Sequence, residues 1–392
     1  MDITREKACL CALNRIFGFE PKTGLALIGH FGCASGIFGS DSKELEALLG
    51  PYSRFRKDIT EQKVEEAADE LESLKGKGIR FTGWCEDGYP ELLKECADAP
   101  VGLYIRSATP DSRLWQKRRI SVVGTRDISP YGREWCTRIV RQFAETAEKP
   151  AVISGLAIGI DICAHRTALD AGLPTIAVMA TGPETVYPVR HTDFAERMAA
   201  APGCALVTDY PPGTVPLAVN FLRRNRIIAG LSEATLLIES KIRGGGMMTA
   251  NLAFSYGREV YAVPGRIDDI CSQGCNRLIG NKVAEAVTGG EELMKSLRMK
   301  NLSRSRKASW TECIRSVYGG RMGAEQTEAM VKVLTCIKKN RGVTLEELAE
   351  ACGMTYSRTC QITGLLESDG FITVDILQRC SINANKQMNL SE

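Results

Sequence analysis

Between Ile120 and Val263 the chain repeats one pattern, a short apolar run of strand length that ends in Gly, Ser or Thr and passes into a stretch of helical character. The runs are Ile120–Gly124, Ala151–Gly155, Pro174–Ala180, Ala205–Thr208, Ala234–Glu239 and Glu259–Val263. Each is apolar throughout rather than at alternate positions, so both faces of the sheet they form must be covered. Strands that alternate with helices are joined by crossovers, and crossovers make parallel neighbours. The expectation is an α/β domain over residues 78–297, doubly wound around a mostly parallel sheet.

The flanks read differently. Residues 1–77 are helical in pattern. Lys22–Gly32 followed by Ser42–Leu49 has the outline of a helix-hairpin-helix or SAM-like module, although Phe19-Glu20-Pro21 stands where the Gly-x-Gly turn of such a module would lie. After the α/β segment, Lys300–Ser309 is polar, basic and rich in serine, the composition of a solvated tether, and residues 298–322 are expected to be a linker. Beyond it Glu325–Lys339 is amphipathic, and Thr344 with Glu347 forms a capping-box pattern. Gly353 turns the chain into Ser357–Ser368, and Gly370–Asp375 follows with strand character. Helix, helix, turn, helix and hairpin is a winged-helix pattern, expected over residues 323–384.

Composition narrows the function classes. The net charge of the 392 residues is only +3, so a nucleic-acid site has to be a local concentration of cations rather than a property of the whole chain. The 15 cysteines are odd in number and scattered from Cys9 to Cys380, unlike a disulfide framework. Their close spacings, Cys9-x-Cys11 and Cys271-x-x-x-Cys275, bring neither a second pair nor a nearby His suited to zinc. No metal or cofactor is expected. No apolar stretch approaches the roughly 18 residues of a membrane span, and the expected location is cytoplasmic.

In a parallel sheet, ligands bind beyond the carboxyl ends of the strands, where helix N-termini present free N–H groups. Four of the strand ends carry anion-binding chemistry. The first offers Gly124, Thr125 and Arg126: a glycine for close approach, a hydroxyl, and a guanidinium fork matched to phosphate oxygens. The second offers Ser154 and Gly155, leading to Gly159, and the third leads through Gly182 and Tyr187 to Arg190 and His191. The fifth opens a helix with Gly244, Gly245 and Gly246 before Thr249. Ahead of that fifth strand, Arg223, Arg224, Asn225 and Arg226 form a basic block. On a helix Arg223 and Arg226 share a face while Arg224 points elsewhere, so at least one of the three is expected to pair with a carboxylate. Asp161 and His165, four apart, are expected to fix their helix to one another. His30 and His191 stand alone.

These residues in this order resemble the DprA/Smf family of DNA-processing proteins. The likeness runs from Gly83-Trp84 and Tyr89–Leu93 through Val123–Arg126, Ser154–His165, Tyr187-Pro188, Arg224–Ser232 and Thr249-Ala250. It continues through Gly257–Val260, Ala262–Gly265 and Gly274–Ile279. The resemblance implies an extended Rossmann-like, non-catalytic domain that forms a homodimer, binds single-stranded DNA, displaces single-strand-binding protein and loads RecA during natural transformation. Carried over by position, Gly124, Thr125 and Arg126 become the phosphate-gripping corner and Arg223–Arg226 its basic wall. Ile158, Leu222 and the triple glycine depart from residues common in the family.

Two rival readings bear on the same residues. The glycine run before Thr249 also resembles that of nucleoside-monophosphate phosphoribohydrolases, but Asn251-Leu252 stands where those enzymes carry two glutamates. A regulator that reads duplex DNA through its winged helix would need more cations than the single Arg358 between Tyr356 and Leu366.

Overall fold

A computed structural model describes residues 4–300, 302, 310–340, 342–375 and 377–383. The chain divides into two compact units, Met1–Leu302 and Ser303–Glu392.

The first unit is built on nine strands: β1 (Ile79–Gly83), β2 (Gly102–Arg106), β3 (Arg119–Val123), β4 (Ala151–Ser154), β5 (Thr175–Val178), β6 (Ala205–Thr208), β7 (Ala234–Leu237), β8 (Glu259–Ala262) and β9 (Glu285–Ala286). Their order is β1-β2-β6-β5-β4-β3-β7-β8-β9. The pairings from β6 to β9 are all parallel, while β1 and β2 add antiparallel at the β6 edge. All six apolar runs are strands, β3 to β8. Alternate residues pack on opposite faces. Ile120, Val122, Val152 and Leu236 meet the helices Pro130–Ala144 and Ile160–Asp170. Val123, Ile153, Val178, Val207 and Leu237 meet Ala218–Gly230, Gly245–Ser255 and Gln273–Gly280. Ala177 and Leu206 cover Thr192–Ala200 on the first face. Winding therefore changes face between β6 and β7, and β3, joined to β4 by a helix on one side, lies against β7, which leads to a helix on the other.

The N-terminal helices Arg5–Ile16, Pro21–Phe31, Ala34–Phe38, Ser42–Leu49 and Glu61–Gly76 share a core with the first hairpin, in which Leu10, Leu13, Phe17 and Leu71 pack with Phe81 and Tyr104. Asn14 is buried at the join. Its amide donates to the Asp209 carbonyl at 2.8 Å and its oxygen accepts from the Gly102 N–H at 3.2 Å. A buried amide satisfied from two strands ties the helices to the sheet, so the boundary expected at residues 77–78 falls inside one compact unit.

In the second unit the three-stranded antiparallel sheet orders β10 (Val343–Thr344), β12 (Arg379–Ile382) and β11 (Ile372–Val374). The capping box forms as its sequence pattern predicts, with the Glu347 N–H donating to Thr344 Oγ1 at 3.3 Å and the Thr344 N–H to Glu347 Oε2 at 2.9 Å. Gly353, at φ +62°, ends that helix. Part of the expected linker is structured: Trp310–Tyr318 is a helix whose Cys313, Ile314 and Tyr318 enter the core with Phe371. Apolar groups at positions 310, 313, 314 and 318 keep helical spacing, which the neighbouring basic and serine-rich run obscures. Of that run, 301 and 303–309 lie outside the described residues, as does residue 384 at the end of the expected winged helix.

Arg226 pairs with Asp209, both buried, and also donates to the Asp98 carbonyl. Removing one partner strands the other charge in the interior. Arg226→Met is expected to destabilise the protein by about 3–5 kcal/mol in urea unfolding, and Asp209→Leu added to it is expected to restore most of the loss.

Candidate nucleic-acid interface

At the carboxyl ends of β3 and β7 the chain leaves toward opposite faces of the sheet, and the loops after them meet over a crevice. Three glycines set how closely they meet. A Cβ on Gly246 would lie 2.7 Å from Leu237 Cδ1 and 3.1 Å from Gly124 Cα. One on Gly124 would lie 2.6 Å from Ile160 Cγ1 and 2.9 Å from the Glu239 carbonyl oxygen. Gly159, at φ +87°, presses its backbone on Thr125 and Arg126, and a Cβ there would fall 2.2 Å from the Thr125 carbonyl oxygen. Hydrogen bonds lock the same loops. The Thr125 N–H donates to the Glu239 carbonyl at 2.7 Å, and the Ile160 N–H to the Thr125 carbonyl at 3.1 Å. The buried Glu239 carboxylate accepts from the Ser129 hydroxyl at 2.6 Å and from its N–H at 3.0 Å.

The expected site residues divide into two groups. Gly124, Thr125, Arg126, Gly245 and Gly246 gather at this crevice, and Arg126 is exposed. Its guanidinium lies over the ring of Phe221 at 5.1 Å, and the Tyr187 ring packs against that same ring with centroids 5.4 Å apart. The Thr125 hydroxyl accepts from the Asp127 N–H at 3.1 Å, so it shapes the turn. Arg190 is exposed after β5. Lys241 and Arg243, both exposed in the loop between β7 and Gly244, were not among the expected cations. Their signal was available, since Lys241-Ile242-Arg243 lies in the loop that leaves a strand ending at the crevice.

The second group serves the interior. The hydroxyl of Ser154, fully buried, donates to the Val122 carbonyl at 2.6 Å. Arg224 is buried across the ends of β4 and β5, donating to the carbonyls of Gly155, at 2.6 Å, and Val178. Gly155 has no side chain because that guanidinium fills the space, 2.5 Å from where a Cβ would stand. Burial pulls the Arg224 pKa down to about 10, with nearby Asp161 opposing the shift. Asn225, also buried, accepts from Arg224 Nε at 3.3 Å and donates to the Gly245 carbonyl at 3.5 Å. The Thr249 hydroxyl donates to the same carbonyl at 3.4 Å. Arg223 donates to the Gly18 carbonyl and stacks on Phe19. The basic block is thus occupied within the fold: Arg226 has the expected carboxylate, whereas Arg224 has carbonyls.

Asp161 and His165 do not bond to one another in the way their spacing suggests. His165 Nδ1 lies 2.7 Å from the Thr175 hydroxyl, and burial, helped by the charge of Arg224, lowers its pKa to about 3. Burial also raises the pKa of Asp161, against the pull of the Arg224 charge. Asn251, at the position where the phosphoribohydrolase pattern has a glutamate, donates to the Met247 carbonyl at 2.8 Å.

The model of the family described as DNA recombination-mediator protein A matches residues 80–298, a span that holds the whole crevice. The chain belongs to this family, known also as DprA/Smf. It is similar to Protein Smf of Escherichia coli, with 40% identity over 212 residues that cover 54% of each chain. It is 34% identical to Protein Smf of Synechocystis over 295 residues, 74% of this chain and 73% of that one. DNA processing protein DprA of Bacillus subtilis is 33% identical over 233 residues, 59% of this chain and 76% of that one. The match thus spans about half the length of the Escherichia coli relative. Among solved structures, DNA processing protein A of Streptococcus pneumoniae superposes with a TM-score of 0.63 at 28% identity, covering 75% of this chain and 98% of that one.

Two tests follow from the geometry of this family member. Gly246→Ala and Gly159→Ala force backbone apart and are each expected to lower stability by about 1–3 kcal/mol in thermal melts. Gly245→Ala, which meets nothing within 4 Å, is expected to stay within about 0.5 kcal/mol of the parent. The second test is acid stability. The folded pKa of His165, about 3, lies below the ordinary value of 6.5. Below that ordinary value the unfolded chain therefore binds a proton that the folded chain refuses, and stability falls as the pH drops from 6.5 toward 3. Between about pH 7 and about pH 5 this group accounts for a loss of about 2 kcal/mol, and His165→Gln is expected to remove that part of the slope in urea titrations.

Proposed function

We propose that the chain is a DNA-binding recombination mediator, not an enzyme, that holds single-stranded DNA at the crevice between β3 and β7 and passes it to RecA. The observation that carries this reading is the exposed guanidinium of Arg126, set over Phe221, whose ring meets that of Tyr187, on a turn that three glycines hold rigid. A cation beside a half-buried ring and an exposed one, Phe221 and Tyr187, suits a flexible strand, whose phosphates and unstacked bases can be met together. Arg190, Lys241 and Arg243 add charge that no carboxylate among the described residues takes up in an ion pair. Contacts to phosphate and to the flat faces of bases read no sequence, so preference among sequences is weak.

Membership of a family described as recombination mediators supports the DNA role. Delivery to RecA, protection of the strand, displacement of single-strand-binding protein, homodimer formation and work in the cytoplasm during natural transformation rest on likeness to that family. No described helix is long and apolar enough to cross a membrane. The second unit fits a winged helix, and within it Arg358 of the helix Tyr356–Ser368 pairs with Glu325 at 3.2 Å. That pairing favours a role in protein contact over groove reading.

Each phosphate contact on a single strand contributes about −0.7 to the slope of log K against log salt. Arg126→Ala is therefore expected to weaken oligothymidylate binding and to reduce that slope by about 0.7. An unchanged affinity in a variant that keeps its circular dichroism spectrum would remove Arg126 from the site. A loading assay with RecA on strands coated by single-strand-binding protein tests the transfer step, which should be faster with this chain present.

A further inference from the structure

The helix Ala218–Gly230 carries a second pairing of guanidinium and aromatic ring on its other flank. Arg223 follows Phe221 by two positions, roughly 200° around the helix. Its guanidinium stacks on the ring of Phe19 at 3.8 Å, one of its nitrogens donates to the Gly18 carbonyl, and Nη1 is buried with no hydrogen-bond partner among the described residues. Phe19 belongs to the turn between the first two helices of the chain and is 61% exposed. Its neighbour Phe17 shows what packing does with such a ring, being fully buried and 4.7 Å from Phe55. Phe19 is instead held out in solvent with a guanidinium behind it. Between the two pairs the helix exposes Val219 and Leu222 rather than carboxylates. The acidic group next to Phe19, Glu20, is paired with Arg54 at 2.7 Å, and Arg54 itself lies over Phe55 at 4.7 Å.

We infer that a single strand seated on Arg126 and Phe221 continues across the first turns of this helix and stacks a further base on Phe19, which makes the N-terminal helices part of the DNA track. The inference rests on the single-strand reading above. An exposed ring with a cation behind it and apolar surface leading to it offers a base the same combination of stacking face and counter-charge as the first pair. A helix with its side chains is about 10–12 Å across, well within the reach of a strand occupying the ~4–16 nucleotides usual for such platforms. Arg223 is then a positioning residue. It holds Phe19 by stacking and by its bond to the Gly18 carbonyl, and its buried nitrogen keeps it from meeting phosphate directly.

The test is the length dependence of binding, read by fluorescence anisotropy on the full chain with oligothymidylates of about six and about fifteen nucleotides. Phe19→Ala is expected to weaken the longer strand at least about fivefold while leaving the shorter within about twofold. Phe19→Leu, apolar but without a ring, should behave like the alanine variant. Phe19→Trp should restore binding and show an indole emission change on adding the longer strand that the parent lacks, which keeps the test decisive should the alanine variant fold poorly. Arg126→Ala should weaken both lengths alike. Unchanged affinity of Phe19→Leu for the longer strand, with no added emission change in Phe19→Trp, overturns the inference and leaves the first site standing. Failure of the parent to bind either length overturns the single-strand reading itself, and failure of Arg126→Ala to weaken both removes Arg126 from the site and with it the start of the proposed track.

Discussion

The first unit depends on backbone meeting backbone at the ends of β3 and β7. Gly124 and Gly246 stand where any side chain would push the two loops apart, and Gly159 brings a third loop against Thr125 and Arg126 in a conformation that costs other residues strain. With those contacts made, the Thr125 N–H reaches the Glu239 carbonyl, and the Glu239 carboxylate caps the turn at Ser129. Arg126 is left with nowhere to go but outward over Phe221. A rigid turn fixes the point from which that long side chain projects.

Beneath that turn the arginines have been divided by depth. Arg224 and Arg226 lie inside, one bonded to carbonyls at the ends of β4 and β5, the other to Asp209. Buried charges are tolerated because their hydrogen bonds are met, and Arg224, even with its pKa pulled down to about 10, stays charged at neutral pH. Its positive charge is held behind the crevice, bonded to backbone carbonyls. This division explains how a chain with a net charge of only +3 can present a cationic corner. The corner is made by position and not by quantity.

The sheet was legible because apolar runs bounded by glycine and serine leave little choice of structure, and the six runs became β3 to β8. The capping box of Thr344 and Glu347 was legible because it depends on neighbours in sequence. The fate of Arg223, Arg224 and Arg226 was not, since each is decided by a partner far along the chain: Gly18, Gly155 and Val178, and Asp209. His165 turned to Thr175 for the same reason. Helical spacing brings two side chains within reach, but it says nothing about a better partner on the next strand. The Trp310–Tyr318 helix was there to be read, and its apolar spacing was overshadowed by the charged run before it.

The tie between the N-terminal helices and the sheet bears on how the crevice works. Asn14 spends both ends of its amide on backbone at β2 and just after β6, and Arg223 reaches back from the basic helix to Gly18. Both bonds converge on the same short stretch of chain, the end of the first helix and the turn that follows. A module hung on a flexible tether would let Phe19 wander, whereas one fastened at two points keeps its distance from Phe221 fixed. Fixed spacing between two stacking faces is what lets a strand gain from the second contact once it has made the first, because the second then forms at high effective concentration.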